Sequence, residues 1–182
     1  MKRKLKNFIS VIYTLLKFSI LKLIHGSDFK FYCIERFSPN TEVDIGKGSR
    51  LYLGEKVRAH SGVKLRVRET AKLIVGKNTA FNYGCMVTSH QSIKIGENSI
   101  LGPNVLIYDH DHDFRAEDGL KLKYKTSPVE IGNNVWIGAN TVILRGTKIG
   151  DNCVIGAGSV IRGDFPNDSI IVQKKETIIK KY

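Results

Sequence analysis

The chain has 182 residues, of which 42% are hydrophobic and 25% are charged, and its formal net charge is +12. This length and composition predict one globular domain that can bury a sizeable core. The charge is concentrated at the ends: residues 1–24 contribute +6 with no acidic residue, and residues 174–182 contribute +3. Because the body is only mildly basic, we expect no nucleic-acid partner.

The three cysteines, Cys33, Cys85 and Cys153, are widely spaced and form neither a CxxC pair nor a disulfide framework. This usage favours a reducing compartment. The apolar N-terminus lacks a small-residue cleavage site, so it is not predicted to be a signal peptide. We therefore expect a cytoplasmic protein, with the inner face of the plasma membrane as a location that the N-terminus leaves open.

Residues 1–44 are predicted to form a basic amphipathic helix and a lead-in. Lysines interrupt the apolar run, which disfavours a membrane span of about 20 apolar residues. On a helical projection Lys6, Ser10 and Lys17 fall on one narrow stripe, and apolar residues cover the rest. Two arrangements fit this pattern: peripheral membrane contact through residues 1–24, or packing on the protein itself or on a neighbouring subunit.

From residue 45 onward, aliphatic side chains recur every six residues. The repeat is clearest where isoleucines stand at 131, 137, 143, 149, 155 and 161. No helix has this period and an ordinary strand alternates every two residues, whereas a hexapeptide β-helix repeats every six. Each unit is expected to form one side of a triangular coil with its aliphatic residue toward the axis. Small residues would fit the corners, and Gly or Asn would allow the turns.

We therefore predict an all-β fold, a left-handed parallel β-helix of hexapeptide repeats over residues 45–172, with an N-terminal helix and a basic tail at 173–182. The repeat is interrupted between Ile107 and Ile131, a gap of 24 residues that keeps the phase. Residues 108–130 contain no hexad and are predicted to form an extruded loop that begins with the segment YDHDHDF. Long loops on rigid repeat scaffolds usually carry function. A spacing of eight between Val87 and Ile95 predicts a smaller insertion at a corner.

The hexads of residues 95–163, the histidine-rich loop and the motif IGNNVWIG together resemble the hexapeptide-repeat acyltransferases, in particular the maltose, galactoside and polysaccharide O-acetyltransferases. The resemblance covers about residues 45–172. It implies a homotrimer with active sites between adjacent subunits. It also implies acetyl-CoA as the acyl donor, a sugar or glycan hydroxyl as the acceptor, and no metal.

The resemblance also implies roles for single residues. The catalytic histidine of the family stands 24 residues before the tryptophan of IGNNVWIG, here Trp136, which designates His112, with His110 as the alternative. By the same resemblance Asn82 would bind the acceptor, and Trp136 would wall the acyl and acceptor site. The implied coenzyme A contacts are Trp136, Gly138, Ala139, Ala157, Arg162 and Gly163. The closing G-x-P motif of the family is absent here, so Lys174 is a candidate for phosphate contacts instead.

Acyl transfer to a hydroxyl needs a base, and a neutral imidazole with an ordinary pKa of about 6.5 suits this role. Asp109, Asp111 and Asp113 are candidates to orient the ring of His112, and Asp109 is also a candidate contact of the acceptor. The N–H of Ala139, where related enzymes often have serine, would support the oxyanion. The corner cysteines are expected to pack rather than to react.

Two other functions stay open. An N-acetyltransferase of an amino sugar or antibiotic would use the same scaffold. A non-catalytic or metal-binding protein, similar to a carbonic anhydrase on this fold, would need clustered histidines. His60 and His90 have no histidine at close spacing, and only His110 and His112 are near each other in the sequence. We therefore expect His60 and His90 to be ordinary corner or surface residues.

Overall fold

The computed structural model describes residues 2–115, 123–174, 176 and 178–180, with side chains from residue 7 onward. The middle of the predicted loop and part of the basic tail therefore lie outside the described residues, as does the side chain of Lys6. In the described part, one α-helix, α1 (Lys2–His25), and a 3₁₀ turn at Gly26–Asp28 precede 22 short strands.

The strands are, in chain order, β1 (Phe29–Lys30), β2 (Arg36–Phe37), β3 (Glu42–Ile45), β4 (Arg50–Leu53), β5 (Arg58–Ala59), β6 (Lys64–Val67), β7 (Lys72–Val75), β8 (Ala80–Phe81), β9 (Met86–Ser89), β10 (Ser92–Ile95), β11 (Ile100–Leu101), β12 (Leu106–Tyr108), β13 (His110–His112), β14 (Tyr124–Thr126), β15 (Val129–Ile131), β16 (Trp136–Ile137), β17 (Val142–Ile143), β18 (Lys148–Ile149), β19 (Val154–Ile155), β20 (Val160–Ile161), β21 (Asp164–Phe165) and β22 (Ile170–Ile171).

Three parallel sheets form the sides of a solenoid. Sheet A has the order β1-β4-β7-β10-β15-β18-β21, sheet B the order β2-β5-β8-β11-β16-β19-β22, and sheet C the order β3-β6-β9-β12-β17-β20. The chain visits sheets A, B and C in turn, so each coil has a B-to-C corner and a C-to-A corner. The predicted parallel β-helix with a helix at its N-terminus is confirmed.

The aliphatic residues of the hexads fill the axis of the solenoid. In sheet A, Ile131 pairs in register with Ile95 of the preceding coil and with Ile149 of the following coil. All three side chains are buried. Burying one such side chain contributes about 1.5–3 kcal/mol, so a stack of rungs outweighs local preferences.

Two classes of corner residue have different physical reasons. Asn134, Asn140 and Asn152 adopt φ values of 55–57°, a left-handed conformation that asparagine tolerates better than most residues. The glycine that directly follows an aliphatic rung instead allows close approach between coils. A Cβ atom on Gly96 would lie 2.4 Å from the carbonyl oxygen of Gly132. The predicted role of Gly and Asn in the turns therefore holds for these asparagines, whereas the glycine after the rung serves the packing of coil on coil.

The solenoid begins earlier than the predicted boundary at residue 45. β1 already pairs with β4 in sheet A, and β2 pairs with β5 in sheet B. The inward positions of these first strands are held by Phe29 and Phe37, both fully buried. The lead-in therefore forms part of the solenoid. The aliphatic hexad pattern did not predict this, because phenylalanines occupy the inward positions.

Helix α1 packs against the first coil with a side that carries both polar and apolar residues. Its one fully buried aromatic ring, Phe18, contacts the rings of Phe29 and Phe37 at centroid distances of 5.2 and 4.8 Å. The Thr14 hydroxyl accepts a hydrogen bond from the Phe37 N–H at 2.8 Å, and Lys17 Nζ donates to the Thr41 carbonyl at 2.7 Å. Packing of the helix on its own protein, one of the two predicted arrangements, is therefore observed.

Substituting Gly96 by alanine tests the close approach of the coils. The added Cβ would meet backbone atoms that cannot rotate away, so we expect Gly96→Ala to lower the free energy of unfolding by about 1–3 kcal/mol. Gly48→Asn is the control, since Gly48 has a φ of 68° and its added Cβ would meet nothing nearer than 3.9 Å. Asparagine tolerates a left-handed φ better than most residues, so that change should cost less than Gly96→Ala. Chemical denaturation measures both, and equal losses would contradict the two-class explanation.

Candidate active site

The extruded loop leaves the solenoid at a C-to-A corner as an antiparallel hairpin. β13 pairs with β14 so that His110 lies opposite Thr126 and His112 lies opposite Tyr124. The chain leaves sheet C after Tyr108 and rejoins the solenoid in sheet A at Val129. Since the hairpin lies outside the apolar axis, polar contacts must attach it to the coil.

Asp109 is the main anchor of the hairpin. It has no exposed surface. One carboxylate oxygen accepts the His90 N–H at 2.7 Å, and the other accepts the N–H groups of Gln91 and Ser92 and the Ser89 hydroxyl, each at 2.8 Å. This differs from the predicted contact with the acceptor, because both oxygens of a fully buried carboxylate are already occupied by the preceding coil.

The pKa of Asp109 reflects this environment. Burial alone would raise the pKa, but the hydrogen bonds from the His110 ring, from the backbone of His90 and Gln91, and from Ser89 outweigh it, and the pKa is lowered. The carboxylate is therefore ionised at neutral pH and forms charge-assisted hydrogen bonds, which are stronger than neutral ones.

Two histidines and a tyrosine pack directly above this anchor. The rings of His90 and His110 are 4.0 Å apart, and His90 lies 4.1 Å from the ring of Tyr124. His110 Nδ1 is 3.4 Å from Asp109 Oδ1, and its side chain is only 13% exposed. Burial, followed by the charge of His110, lowers the pKa of His90 to about 4. His90 is therefore neutral at pH 7.

His112 lies at the outer end of the same cluster. It is exposed, and its ring is 4.9 Å from that of Tyr124. The two other predicted orienting carboxylates have different partners: Asp111 pairs with Arg145 at 2.5 Å, and Asp113 pairs with Lys125 at 2.9 Å. Among the described residues of this protomer, none of the three aspartates contacts the His112 ring, so the predicted orienting role is not observed for any of them.

An open cleft of about 770 Å³ lies between the hairpin and the outer surface of sheet C. His90, His110, His112 and Tyr124 line one side of it. The opposite side carries Arg66, Arg68, Met86, Thr88 and Tyr108, together with Asp44, Gly46 and Glu69. The two arginines are paired with Glu42 and Asp44. In the described part of the chain, no group of three His, Cys, Asp or Glu side chains could hold a metal ion.

The other predicted site residues lie elsewhere on the solenoid. Trp136 is on sheet B and 57% exposed, in register with Ile100 and Val154. Asn82, Gly138, Ala139 and Ala157 follow sheet B strands, so they share the B-to-C corner. Arg162 and Gly163 are at a C-to-A corner, and Lys174 is an exposed residue after β22. One protomer therefore brings His110 and His112 together but separates them from Trp136.

The positions of His90, Tyr124 and the two arginines in the cleft were not predicted from the sequence. His90 was expected to be an ordinary corner histidine, yet it lies within the eight-residue interval between Val87 and Ile95. The irregular spacing is the signal that could have predicted this, because the corner insertion that it indicates contacts the base of the hairpin. Tyr124 lies in the segment without hexads, where residue type alone gave no role.

Comparison with known proteins identifies the family. The profile described as bacterial transferase hexapeptide (six repeats) matches residues 128–163. The chain is 32% identical over 147 residues to the Escherichia coli (strain K12) protein named putative lipopolysaccharide biosynthesis O-acetyl transferase WbbJ, covering 76% of this chain and 75% of that protein. It is 38% identical over 92 residues to the galactoside O-acetyltransferase of the same organism, covering 50% of this chain but only 45% of that enzyme.

Solved structures agree with this. A maltose O-acetyltransferase from Clostridium difficile 630 has 29% identity and a TM-score of 0.55, with 94% of this chain and 87% of that chain covered. AntD, an N-acyltransferase from Bacillus cereus in complex with dTDP and 3-hydroxybutyryl-CoA, shares the fold at a TM-score of 0.64 and 18% identity, with 85% of this chain and 82% of that chain covered. The chain belongs to the hexapeptide-repeat acyltransferases. The predicted class, an acyl-CoA-dependent acyltransferase, is confirmed.

Substituting Asp109 by asparagine tests the anchor. An amide directs N–H groups at the backbone donors, so we expect Asp109→Asn to cost about 1.5–3 kcal/mol of stability at pH 7. Because the folded-state pKa is lowered, the carboxylate stabilises the fold above its unfolded pKa, and this stabilisation disappears as the pH falls through the folded value. The difference between wild type and variant in urea unfolding should therefore shrink below about pH 4. Asp113→Asn, which removes a surface pair, is the control and should change stability little; a pH-independent difference for Asp109→Asn would contradict the assignment.

Proposed function

We propose that this protein transfers the acetyl group of acetyl-CoA to a hydroxyl of a sugar or polysaccharide, such as a capsule, O-antigen or exopolysaccharide unit. The observation that carries the proposal is an exposed imidazole, His112, on an anchored hairpin at the edge of a cleft of about 770 Å³. Its spacing of 24 residues from Trp136 is the one that the family resemblance implies.

The names of the relatives favour oxygen over nitrogen as the accepting atom. Three of the similar proteins, WbbJ at 32% identity, the galactoside enzyme at 38% and the maltose enzyme at 29%, are named O-acetyltransferases. The N-acyltransferase AntD resembles this chain in fold at 18% identity and gives no argument about the acceptor. The WbbJ match covers three quarters of both chains, which favours a glycan unit of the cell envelope over a free sugar.

The chemistry requires one base and one oxyanion donor. We infer that the neutral ring of His112 accepts the proton of the acceptor hydroxyl while the hydroxyl oxygen attacks the thioester carbonyl carbon. The C–S bond then breaks, and the proton passes from the imidazolium to the sulfur of coenzyme A. An N–H at the B-to-C corner, that of Ala139, would support the oxyanion. Within the described residues no hydrogen bond uses this N–H.

Two outer faces that are apolar in the later coils support assembly of several copies. Sheet B begins with the outward residues Arg36 and Arg58 but continues with Ile100, Trp136 and Ile170. Sheet C begins with Glu42, Asp44, Lys64 and Arg66 but continues with Leu106, Val142 and Val160. The outward residues of sheet A, by contrast, are largely charged: Lys30, Arg50, Lys72, Lys94, Glu130, Lys148 and Asp164. Two different apolar faces on each copy can generate a ring by heterologous contact, and we propose the homotrimer of the family.

In this assembly the catalytic site is shared. The hairpin of one protomer would stand beside sheet B and the B-to-C corner of the next, so that His112 meets Trp136 and Asn82 of another copy. Gly138, Ala139 and Ala157 would then line a coenzyme A groove on the neighbour, extended by Arg162, Gly163 and Lys174. A cytoplasmic location fits a CoA-dependent enzyme whose three cysteines are free.

Replacing each histidine separately tests the base. We expect His112→Ala to lower kcat by about 10²–10⁴-fold in a thioester-release assay with acetyl-CoA and a panel of sugars and glycans, with acetyl-CoA binding retained. His110→Ala should be milder, and His25→Ala, on the far end of α1, is the matched control. If His110→Ala were crippling and His112→Ala mild, the contact between His110 and Asp109 would mark the true base. Activity unchanged in both variants would contradict the proposed reaction.

Mixing two inactive variants tests whether the site is shared. A His112→Ala protomer retains Trp136, and a Trp136→Ala protomer retains His112. If neighbouring copies form each site, trimers reassembled from an equal mixture should regain about a quarter of wild-type activity, because one ordered pair in four combines both intact residues. Trp136 is exposed, so its loss should leave the fold intact. A site contained in one protomer would give no recovery on mixing.

A further inference from the structure

Helix α1 keeps most of its apolar side chains away from the body. A helix on a soluble domain normally turns its apolar side toward the core. Here Phe18 and Leu21 pack on the body beside Thr14, Lys17 and Lys22. Other apolar residues form the apolar face of α1, which points outward and consists of Phe8, Ile9, Ile12, Leu16, Ile20 and Leu23. Leu16 is 63% exposed and Leu23 is 86% exposed. A contiguous exposed apolar surface of this kind marks an interaction site.

Hydrogen bonds between α1 and the body keep the helix on the solenoid. Lys17 Nζ donates to the Thr41 carbonyl at 2.7 Å, Lys22 Nζ donates to the Phe29 carbonyl at 2.8 Å, and the Tyr13 hydroxyl donates to the Pro39 carbonyl at 3.0 Å. The helix is long and apolar enough to cross a membrane by composition. Crossing would break these hydrogen bonds and expose Phe18, which is fully buried. The helix therefore stays packed on the solenoid, and its apolar face remains exposed on the side away from the body.

The charge around the apolar face decides between lipid and protein as its partner. Residues 1–24 contain six basic residues and no acidic one. The cleft beside Val11 adds Lys56 and Arg58. Lys17 and Lys22 are bonded to backbone carbonyls of the body, so the other four basic residues, all within residues 2–6, and the two of the cleft supply the remaining positive charge. An apolar helix face in a positively charged segment fits an anionic lipid surface, where apolar insertion and attraction to headgroups act together. A second copy of α1 on the same face would instead bring two sets of like charges together.

We propose that α1 docks flat on an anionic lipid bilayer, with its apolar face inserted at the boundary between headgroups and acyl chains. The solenoid would stand on the membrane by its N-terminal end, since α1 packs against the first coil. This inference is independent of the proposed reaction, because no residue of the apolar face contributes to the cleft beside His112.

Flotation of the purified full-length protein with lipid vesicles tests the proposal. We expect wild type to float with vesicles of phosphatidylcholine and phosphatidylglycerol but weakly with phosphatidylcholine alone, and binding should fall as salt screens the charges. The double variant Leu16→Gln/Leu23→Gln should bind the anionic vesicles about tenfold or more weakly. Its melting temperature should match wild type, because both side chains are exposed.

The matched control is Ile178→Gln/Ile179→Gln, which removes two equally exposed apolar side chains from the C-terminal tail and should bind as wild type does. Wild type that ignores anionic vesicles, or a helix variant that binds as well as wild type, would overturn the proposal. So would wild type that fails to float but forms larger assemblies than the helix variant in light scattering, since a second copy would then cover the face. Acetyl transfer to a soluble acceptor should be equal in all variants, so failure of docking and failure of the reaction are distinguishable.

Discussion

The whole structure depends on the register of apolar side chains along the axis of the solenoid. Each inward residue stacks on its equivalents one coil before and after, as Ile131 does between Ile95 and Ile149. Because neighbouring strand residues point to opposite faces, a slip of one residue would turn a rung outward. Insertions are therefore placed at corners and must let the next strand resume with its apolar residues facing the axis. The loop meets this condition, because 24 residues separate Ile107 from Ile131.

The hairpin is held by a different kind of force. It lies outside the axis, and its contacts with the coil include the buried charge of Asp109, the ion pair between Asp111 and Arg145, and the tilted ring contact of Tyr124 with His90. The scaffold is thus stabilised by apolar burial, which does not depend on pH. The site is positioned by charge-assisted hydrogen bonds, whose strength depends on the ionisation of the carboxylates. This division lets the imidazoles be oriented without any change in the core that carries them.

The repeat was predictable because one physical requirement, an inward apolar residue every six positions, recurs many times. The first coil was not, because Phe29 and Phe37 satisfy the same requirement with a different residue type. The hairpin position of His110 and His112 followed from the break in the pattern. The role of Asp109 did not follow, since most of its partners are backbone N–H groups that no residue type reveals. The separation of Trp136 from His112 could not be predicted either, because strand order within one coil decides which face each residue occupies.

The outer surface divides into regions whose neighbouring charges indicate their partners. The outward side chains of sheet A are largely charged, so this face is compatible with exposure to water. The apolar rows on sheets B and C continue in register along the coils, from Ile100 through Trp136 to Val154 and from Leu106 to Val160, a regular surface that a second copy of the same solenoid can match. The apolar face of α1 has no such repeat and belongs to a segment with six basic residues and no acidic one, which a fluid anionic surface accommodates without shape matching. Both surfaces are apolar, so hydrophobicity alone does not distinguish them. The regular repeat of the one and the positive charge of the segment that carries the other do.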